Sequence, residues 1–405
     1  MKVTLVGMGP GASGWLTGEA RNALEEADCL VGSRRLMEQC PVPGKGHGLI
    51  STKSAEIVDY LSACGCRRPC VLYSGDTGLH SGARTLIPML EERGISWRVI
   101  PGLSSMQYLA ARLGRPWQQW QVESAHGLNC DPVGAVLAAR GKPVFFLTGG
   151  AGGVGTLCGK LTQAGLGDLE VTVGEELSYP EERIYRGRAW ELAGAETASL
   201  AVLLTEGLDP VRKTVTQGME DSDFLRDKTP MTKQEVRAAV LAKLAPREGD
   251  VCWDVGAGTG SVAVELALAN PKGKVYAVER DENACRLIRA NRERLGAWNL
   301  ELVPGSAPEA LETLPCPDRV FVGGSGGQLS TILALAVEKN PAVRLCVTAI
   351  ALETLGAAAA AMTGLGIQAQ VTQITAARSR PVGELNLMIG QNPVWIITGE
   401  REDGK

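Results

Sequence analysis

Short apolar runs alternate with longer stretches in which apolar residues return every three or four positions, and the alternation persists along the whole chain. In the first half, residues 3–6, 70–73, 97–100, 144–147, 170–173 and 200–204 read as buried strands. Residues 17–27, 83–93 and 104–113 carry helical spacing between or beside them. In the second half, strands are expected at 251–255, 274–278, 300–303, 319–322 and 345–349, and a last pair at 370–374 and 394–398 flanks a long loop. Strands interleaved with amphipathic helices predict α/β sheets in both halves.

Two domains follow from length, because 405 residues exceed one ordinary core. The stretch 218–230 (GMEDSDFLRDKTP) is charged, poor in periodic apolar positions and ends in proline. It places domains at 1–212 and 230–405, joined by a linker over 213–229. Past it, Thr232-Lys233-Gln234-Glu235 reads as a capping box before Val236, Val240, Leu241 and Leu244 at helical spacing. No internal repeat links the halves, so two different α/β domains are expected rather than a duplication.

Composition narrows the class. Hydrophobic content of 44% and charged content of 21% are those of a globular protein. A net charge of −4 and only 4% aromatic residues, with no Lys/Arg stripe, give no drive toward nucleic acid or anionic membranes. The chain runs from Met1 directly into a strand, so no secretory signal is expected, and the small-apolar run 356–362 is too short to span a bilayer. Eleven cysteines without repeated spacing suit a reducing, cytoplasmic setting. Cys64, Cys66 and Cys70 cluster, yet no second pair or histidine completes four ligands, so no metal site is expected.

The chemistry centres on glycine loops at strand ends. In the second half, Gly256, Ala257, Gly258, Thr259 and Gly260 join the strand ending at Val255 to an apolar helix-like run. Such a loop turns tightly, lets a ligand approach the backbone and aims a helix's free N–H groups at it. Glu279 closes the next strand, where a carboxylate can grip a ribose diol, and Ala307 follows the strand after that. The spacing is G-x-G-x-G, without the third glycine offset of a dinucleotide fingerprint. A ligand-free turn and a helix-capping Glu279 are the structural alternatives.

The segments PMTKQEV, WDVGAGTGSVAVE, GKVYAVERDE, GSAPEAL, PDRVFVGGSGG, ARSRPVG and NPVWIITG occur in order between Pro230 and Gly399. Together they resemble the decarboxylating C15-methyltransferases of corrin biosynthesis, which have a Rossmann-like class I methyltransferase fold. The resemblance implies S-adenosylmethionine on the Gly256–Gly260 loop, with Glu279 at the ribose and Ala307 near the adenine. It also puts Thr232 near the cofactor, although a capping role alone would account for that residue. Arg378 and Arg380, on the loop between the last strands, are candidates for gripping substrate carboxylates bidentately. A solvated surface pair is the alternative.

The first half carries Gly7-Met8-Gly9-Pro10-Gly11, Ser74-Gly75-Asp76-Thr77-Gly78, Gly102-Leu103-Ser104-Ser105, Ser124-Ala125-His126-Gly127 and a loop from Gly174 to Pro180. Each lies at the carboxyl end of an expected strand, where open α/β sheets place ligands. In this order they resemble the tetrapyrrole (class III) methyltransferase superfamily, and within it the precorrin C5-methyltransferases. That resemblance implies a second S-adenosylmethionine site at Gly9, Pro10, Gly75, Asp76, Thr77, Ser104 and Ser105. Thr77 stands where the superfamily usually has proline, and Leu79-His80 near its aromatic position. His80 and His126 are candidate proton-transfer groups, with hydrogen-bond donation as the alternative.

The fusion implies a bifunctional C-methyltransferase and decarboxylase acting on a precorrin or cobalt-precorrin, C5 in the first domain and C15 in the second. A homo-oligomer is also expected. Competing readings are an RNA methyltransferase fused to a binding module, a nicotinamide-dependent oxidoreductase and a non-enzymatic scaffold. The acidic composition, the missing G-x-G-x-x-G spacing and the many strand-end glycine loops, respectively, count against these.

Overall fold

A computed structural model of the chain describes residues 1–42, 47–126, 130–150, 152–209 and 217–401. The chain divides into two compact units, one of residues 1–130, 142–163 and 167–207, the other of 131–141, 164–166 and 208–405.

The first unit contains two sheets. β1 (Lys2–Gly7), β2 (Cys29–Gly32), β3 (His47–Ile50), β4 (Pro69–Tyr73) and β5 (Ser96–Ile100) form a parallel sheet in the order β3-β2-β4-β1-β5. Alternate residues of its inner strands serve opposite faces. Leu5 and Val71 pack with Leu86 and Leu90, while Val6 and Leu72 pack with Leu24 and Ile100. Burial on both sides is why these strands are continuous apolar runs. β6 (Gln121–Ser124), β7 (Val144–Leu147), β8 (Glu170–Glu175), β9 (Arg183–Arg188) and β10 (Ala201–Thr205) form the second sheet, in the order β6-β7-β10-β8-β9. Only β6 and β7 run parallel there.

Of the strands the apolar pattern does not reveal, β3, β6 and β9 lie at sheet edges. β2, β3 and β6 span four residues each, and β9 reads Arg-Ile-Tyr-Arg-Gly-Arg. Edge strands are short and charged because one side lacks a partner strand, so they carry little apolar signal.

The second unit holds a seven-stranded sheet of β11 (Val251–Val255), β12 (Lys274–Glu279), β13 (Leu300–Pro304), β14 (Arg319–Val322), β15 (Arg344–Ala349), β16 (Gln370–Ile374) and β19 (Val394–Gly399). Its order is β13-β12-β11-β14-β15-β19-β16, with five parallel strands followed by β19 running antiparallel to both neighbours. The strand order reverses direction beside β11, and open α/β sheets bind ligands outside the carboxyl ends of their strands at such a switch point.

Three expectations are corrected here. The stretch between β16 and β19 is not a plain loop but an antiparallel hairpin, β17 (Ala377–Val382) and β18 (Leu385–Gly390). The helix Gln234–Leu244 is preceded by Lys233 without a side-chain cap, so the capping box of Thr232 and Glu235 does not form. Residues 213–216 of the expected linker lie outside the described residues, but the part from Gly218 onward is a strap packed on the second unit. Met219 and Phe224 are each 4% exposed within its core, and the Leu225 N–H donates to Asn291 Oδ1 at 2.6 Å.

Candidate functional site

β11 ends against the first glycine loop, where Gly256 and Gly258 have φ of +70° and +56°. A Cβ on Gly256 would stand 2.3 Å from the Gly324 carbonyl oxygen, and one on Gly258 would stand 2.8 Å from that of Pro230. Side chains are excluded there on both counts. The loop borders a cavity of about 1420 Å³ lined by Gly256, Ala257, Gly258, Glu279, Ala307 and Thr232. Thr259 and Gly260 are not on its wall. Thr259 is wholly buried behind the loop, and Gly260 leads into the helix Ser261–Ala269.

The Glu279 carboxylate closes this cradle. One oxygen accepts the Gly258 N–H at 2.9 Å, and the other accepts those of Arg280 and Asp281 at 2.8 and 3.0 Å. Helix capping is thus done by Asp281, whose side chain accepts the Ala284 N–H, leaving Glu279 to brace the loop from inside the cavity.

Asp254 was not singled out from the sequence. It is wholly buried on β11, two residues before Gly256, and neither carboxylate oxygen has a hydrogen-bond partner of normal geometry among the described residues. Burial pushes its pKa up to about 7; the backbone at Ala263 gives partial relief and the charge of Glu279 adds to the push. An unsatisfied buried carboxyl beside a backbone cradle is a mark of a functional site. The visible signal was an acidic residue inside an otherwise apolar strand.

Arg378 is placed otherwise than expected. Its Nε and Nη2 donate to the two Glu235 oxygens at 2.8 and 2.6 Å, and Nη1 donates to Asp221 at 2.8 Å. Arg378 thereby holds Glu235 below its usual carboxylate range. Burial pushes Asp221 up, but hydrogen bonds from Arg237 and Arg378 hold it lower on balance. With its fork filled by acids of its own chain, Arg378 is a structural tie rather than a free carboxylate grip. Arg380 is exposed on β17, and neither arginine lines the cavity. Among the described residues, the Lys and Arg side chains that do line it are Lys228, Lys233 and Arg280.

In the first unit three loops meet at the carboxyl ends of β1, β4 and β5. Gly9 and Gly75 exchange backbone hydrogen bonds of 3.1 and 2.8 Å, and Asp76 accepts the N–H groups of Gly102 and Gly78 at 3.2 and 2.9 Å. Pro10, Gly75, Asp76, Ser104 and Ser105 line a cavity of about 540 Å³, with His80 and His126 on its wall. Gly9 and Thr77 are buried and not on that wall. Ser104 also caps the helix Ser105–Leu113 in a capping box with Gln107.

His126 Nδ1 lies 3.4 Å from the Thr148 carbonyl oxygen. A carbonyl only accepts, so the neutral ring sharing this bond carries its proton on Nδ1 and keeps a lone pair on Nε2. Gly127 lies outside the described residues. Tyr179 covers the glycine loop so closely that a Cβ on Gly11 would fall 2.2 Å from its ring.

Each half of the chain matches a known family. Residues 2–193 match the tetrapyrrole (corrin/porphyrin) methylase family, and residues 223–400 match the precorrin methyltransferase domain. A precorrin-6Y C(5,15)-methyltransferase [decarboxylating] from Sinorhizobium is 29% identical over 403 residues, covering 98% of this chain and 95% of the relative. A cobalt-precorrin-6B C(15)-methyltransferase (decarboxylating) from Salmonella typhimurium is 38% identical, covering 46% of this chain and 97% of the relative. A crystal structure of a precorrin-6Y C5,15-methyltransferase from Geobacter metallireducens is 36% identical, with a TM-score of 0.44, covering 46% of this chain and 98% of that one. With a tetrapyrrole methylase half followed by a precorrin methyltransferase half, the chain belongs to the precorrin-6Y C5,15-methyltransferase (decarboxylating) family.

Proposed function

We propose that this chain methylates a precorrin or cobalt-precorrin at two ring carbons in cobalamin biosynthesis. C5 is methylated by the amino-terminal domain, and C15 by the carboxy-terminal domain with loss of the C12 acetate carboxyl as carbon dioxide. The carrying observation is that one chain holds, in this order, two different glycine-cradled cavities whose glycine loops each lie in a separate family match.

Each cradle fits S-adenosylmethionine, which when bound supplies an electrophilic methyl group. In the second domain Gly256, Ala257 and Gly258 would hold it, with Thr232, Glu279 and Ala307 around the nucleoside and Asp254 behind the loop. The fit rests on the backbone cradle that a Cβ would fill and on the unpartnered Asp254 carboxyl. In the first domain Pro10, Gly75, Asp76, Ser104 and Ser105 would form the wall, with Gly9 and Thr77 beneath it.

Because the methyl is already reactive, the protein's tasks are to exclude water and align the ring carbon, which can lower a barrier by roughly 7–11 kcal/mol. His126 and His80 are the histidines on the wall of the first cavity, each a candidate base there. In the second, decarboxylation passes the bonding pair into the conjugated macrocycle, which takes up one proton. Lys228, Lys233 and Arg280 are the cations available to substrate carboxylates, in place of Arg378 and Arg380.

A homo-oligomer forms through the β17–β18 hairpin, whose Leu385 and Met388 are 68% and 65% exposed. A second copy offers the same apolar face in a closed twofold arrangement.

Thermal shift of the full chain with S-adenosylhomocysteine and with NAD tests the reading, since a ligand that binds only the native state raises stability. Stabilisation by S-adenosylhomocysteine is expected, and stabilisation by NAD alone would overturn it. None of the described helices is long and apolar enough to cross a membrane.

A further inference from the structure

The 540 Å³ cavity of the first domain has Arg35 as the only Lys or Arg among its described lining residues. Arg35 sits just past the end of β2, half-buried. Its Nη1 donates to the Tyr179 hydroxyl at 3.2 Å and to Gln39 Oε1 at 3.3 Å, and its Nη2 donates to Ser74 Oγ at 3.1 Å. Every one of these acceptors is neutral.

That contrasts with Arg378, whose charge is balanced by two carboxylates. Asp76, on the same cavity wall, is turned to the Gly78 and Gly102 amides. Among the described residues no carboxylate pairs with the half-buried Arg35 guanidinium, which leaves it free to make a stronger, charge-assisted bond to an anion. Three of its five N–H groups are used. Nε–H and one N–H on Nη2 have no partner among the described residues, and a carboxylate accepts two such parallel bonds from a guanidinium.

We propose that Arg35 binds a peripheral carboxylate of the tetrapyrrole and so sets the macrocycle's orientation for methylation at C5. The proposal rests on the function proposed above and adds a substrate-binding residue outside the glycine loops. Ser74 and Tyr179 hold the planar fork in place from either side, which lowers the ordering cost of binding an anion.

The chain tests this with its own internal control. In Arg35→Gln, the KM for the tetrapyrrole in C5 methylation should rise roughly ten- to a hundredfold, the worth of a hydrogen bond to a charged group. C15 methylation by the same molecules and the stoichiometry of S-adenosylhomocysteine binding should stay unchanged. Arg35→Lys, keeping a point charge without the fork, should recover part of the loss.

Tyr179→Phe separates substrate binding from mere support of the loop. It removes one of the bonds that orient the fork but keeps the guanidinium, so its KM should rise clearly less than in Arg35→Gln. An unchanged KM in Arg35→Gln overturns the proposal. So does Tyr179→Phe reproducing the Arg35→Gln defect, or Arg35→Gln losing cofactor binding in the first domain. A parent chain that methylates C15 but never C5 would instead sink the functional reading of this domain, a distinct outcome.

Discussion

Arg237 Nε donates to Glu265 Oε1 at 2.8 Å in a place where the arginine is wholly buried and the glutamate side chain is 2% exposed. The pair is the centre of a polar knot. Arg237 also donates to Asp221 at 2.9 Å and to the carbonyls of Met219 and Thr232, while Glu265 accepts the Gly218 and Met219 N–H groups at 2.7 and 3.0 Å. Asp221 passes the connection on to Arg378 of the hairpin. The strap from Gly218 to Thr232 is thereby fixed as one wall of the larger cavity. Arg237→Met should destabilise the second domain by about 3–5 kcal/mol, because Glu265 would keep a buried charge without its partner. Urea unfolding of the full chain, followed through residual C15 activity, reads this out. A loss below about 1 kcal/mol would mean the knot relaxes without it.

Gly258→Val should abolish C15 methylation and leave C5 methylation intact. The new Cβ would meet the Pro230 carbonyl oxygen at 2.8 Å, and a β-branched residue resists φ of +56°. Product analysis by mass spectrometry separates the two methylations, and loss of both would show that the domains do not act independently.

Asp254 makes the ligand-free second domain pH-sensitive. Its pKa rises from 3.8 to about 7 on folding, so the folded state binds this proton more tightly than the unfolded chain. Its stabilising contribution is fully present below pH ~3.8 and is lost as pH rises through ~7. Asp254→Asn should remove that loss, so that its melting temperature falls less than the parent's between pH ~5 and ~8. Parallel melting curves for the two proteins would contradict the assignment.

The hairpin predicts an assembly defect. Leu385→Glu combined with Met388→Glu should lower the oligomeric mass seen by sedimentation, since charge on a buried apolar interface disrupts it. An unchanged mass would place the interface elsewhere.

Arg35→Gln belongs beside these as a substrate-affinity effect confined to C5 chemistry.

Much of the site was legible because it is local. A glycine loop between an apolar strand and a helix states its own geometry, so Gly256, Gly258, Gly75 and Asp76, which line the two cavities, stand out from neighbours a few positions away. Glu279 stands out in the same way, as an acid closing the next strand. The partners of Arg378, Asp221 and Glu235, lie far away in sequence, and nothing near Arg378 announces them. Thr232 and Glu235 matched a capping pattern, but Glu235 was drawn off by Arg378 and the helix began one residue later. Asp254 looked like an ordinary polar interruption until its complete burial was known.

Two unlike α/β halves and the order of their glycine loops can be read from the chain alone. These depend on side-chain periodicity and backbone freedom, which act over a few residues. Tertiary structure alone decided which charges are neutralised within the protein and which face a cavity unpaired. An ion pair depends on where distant elements bring two long side chains, and no local pattern encodes that distance.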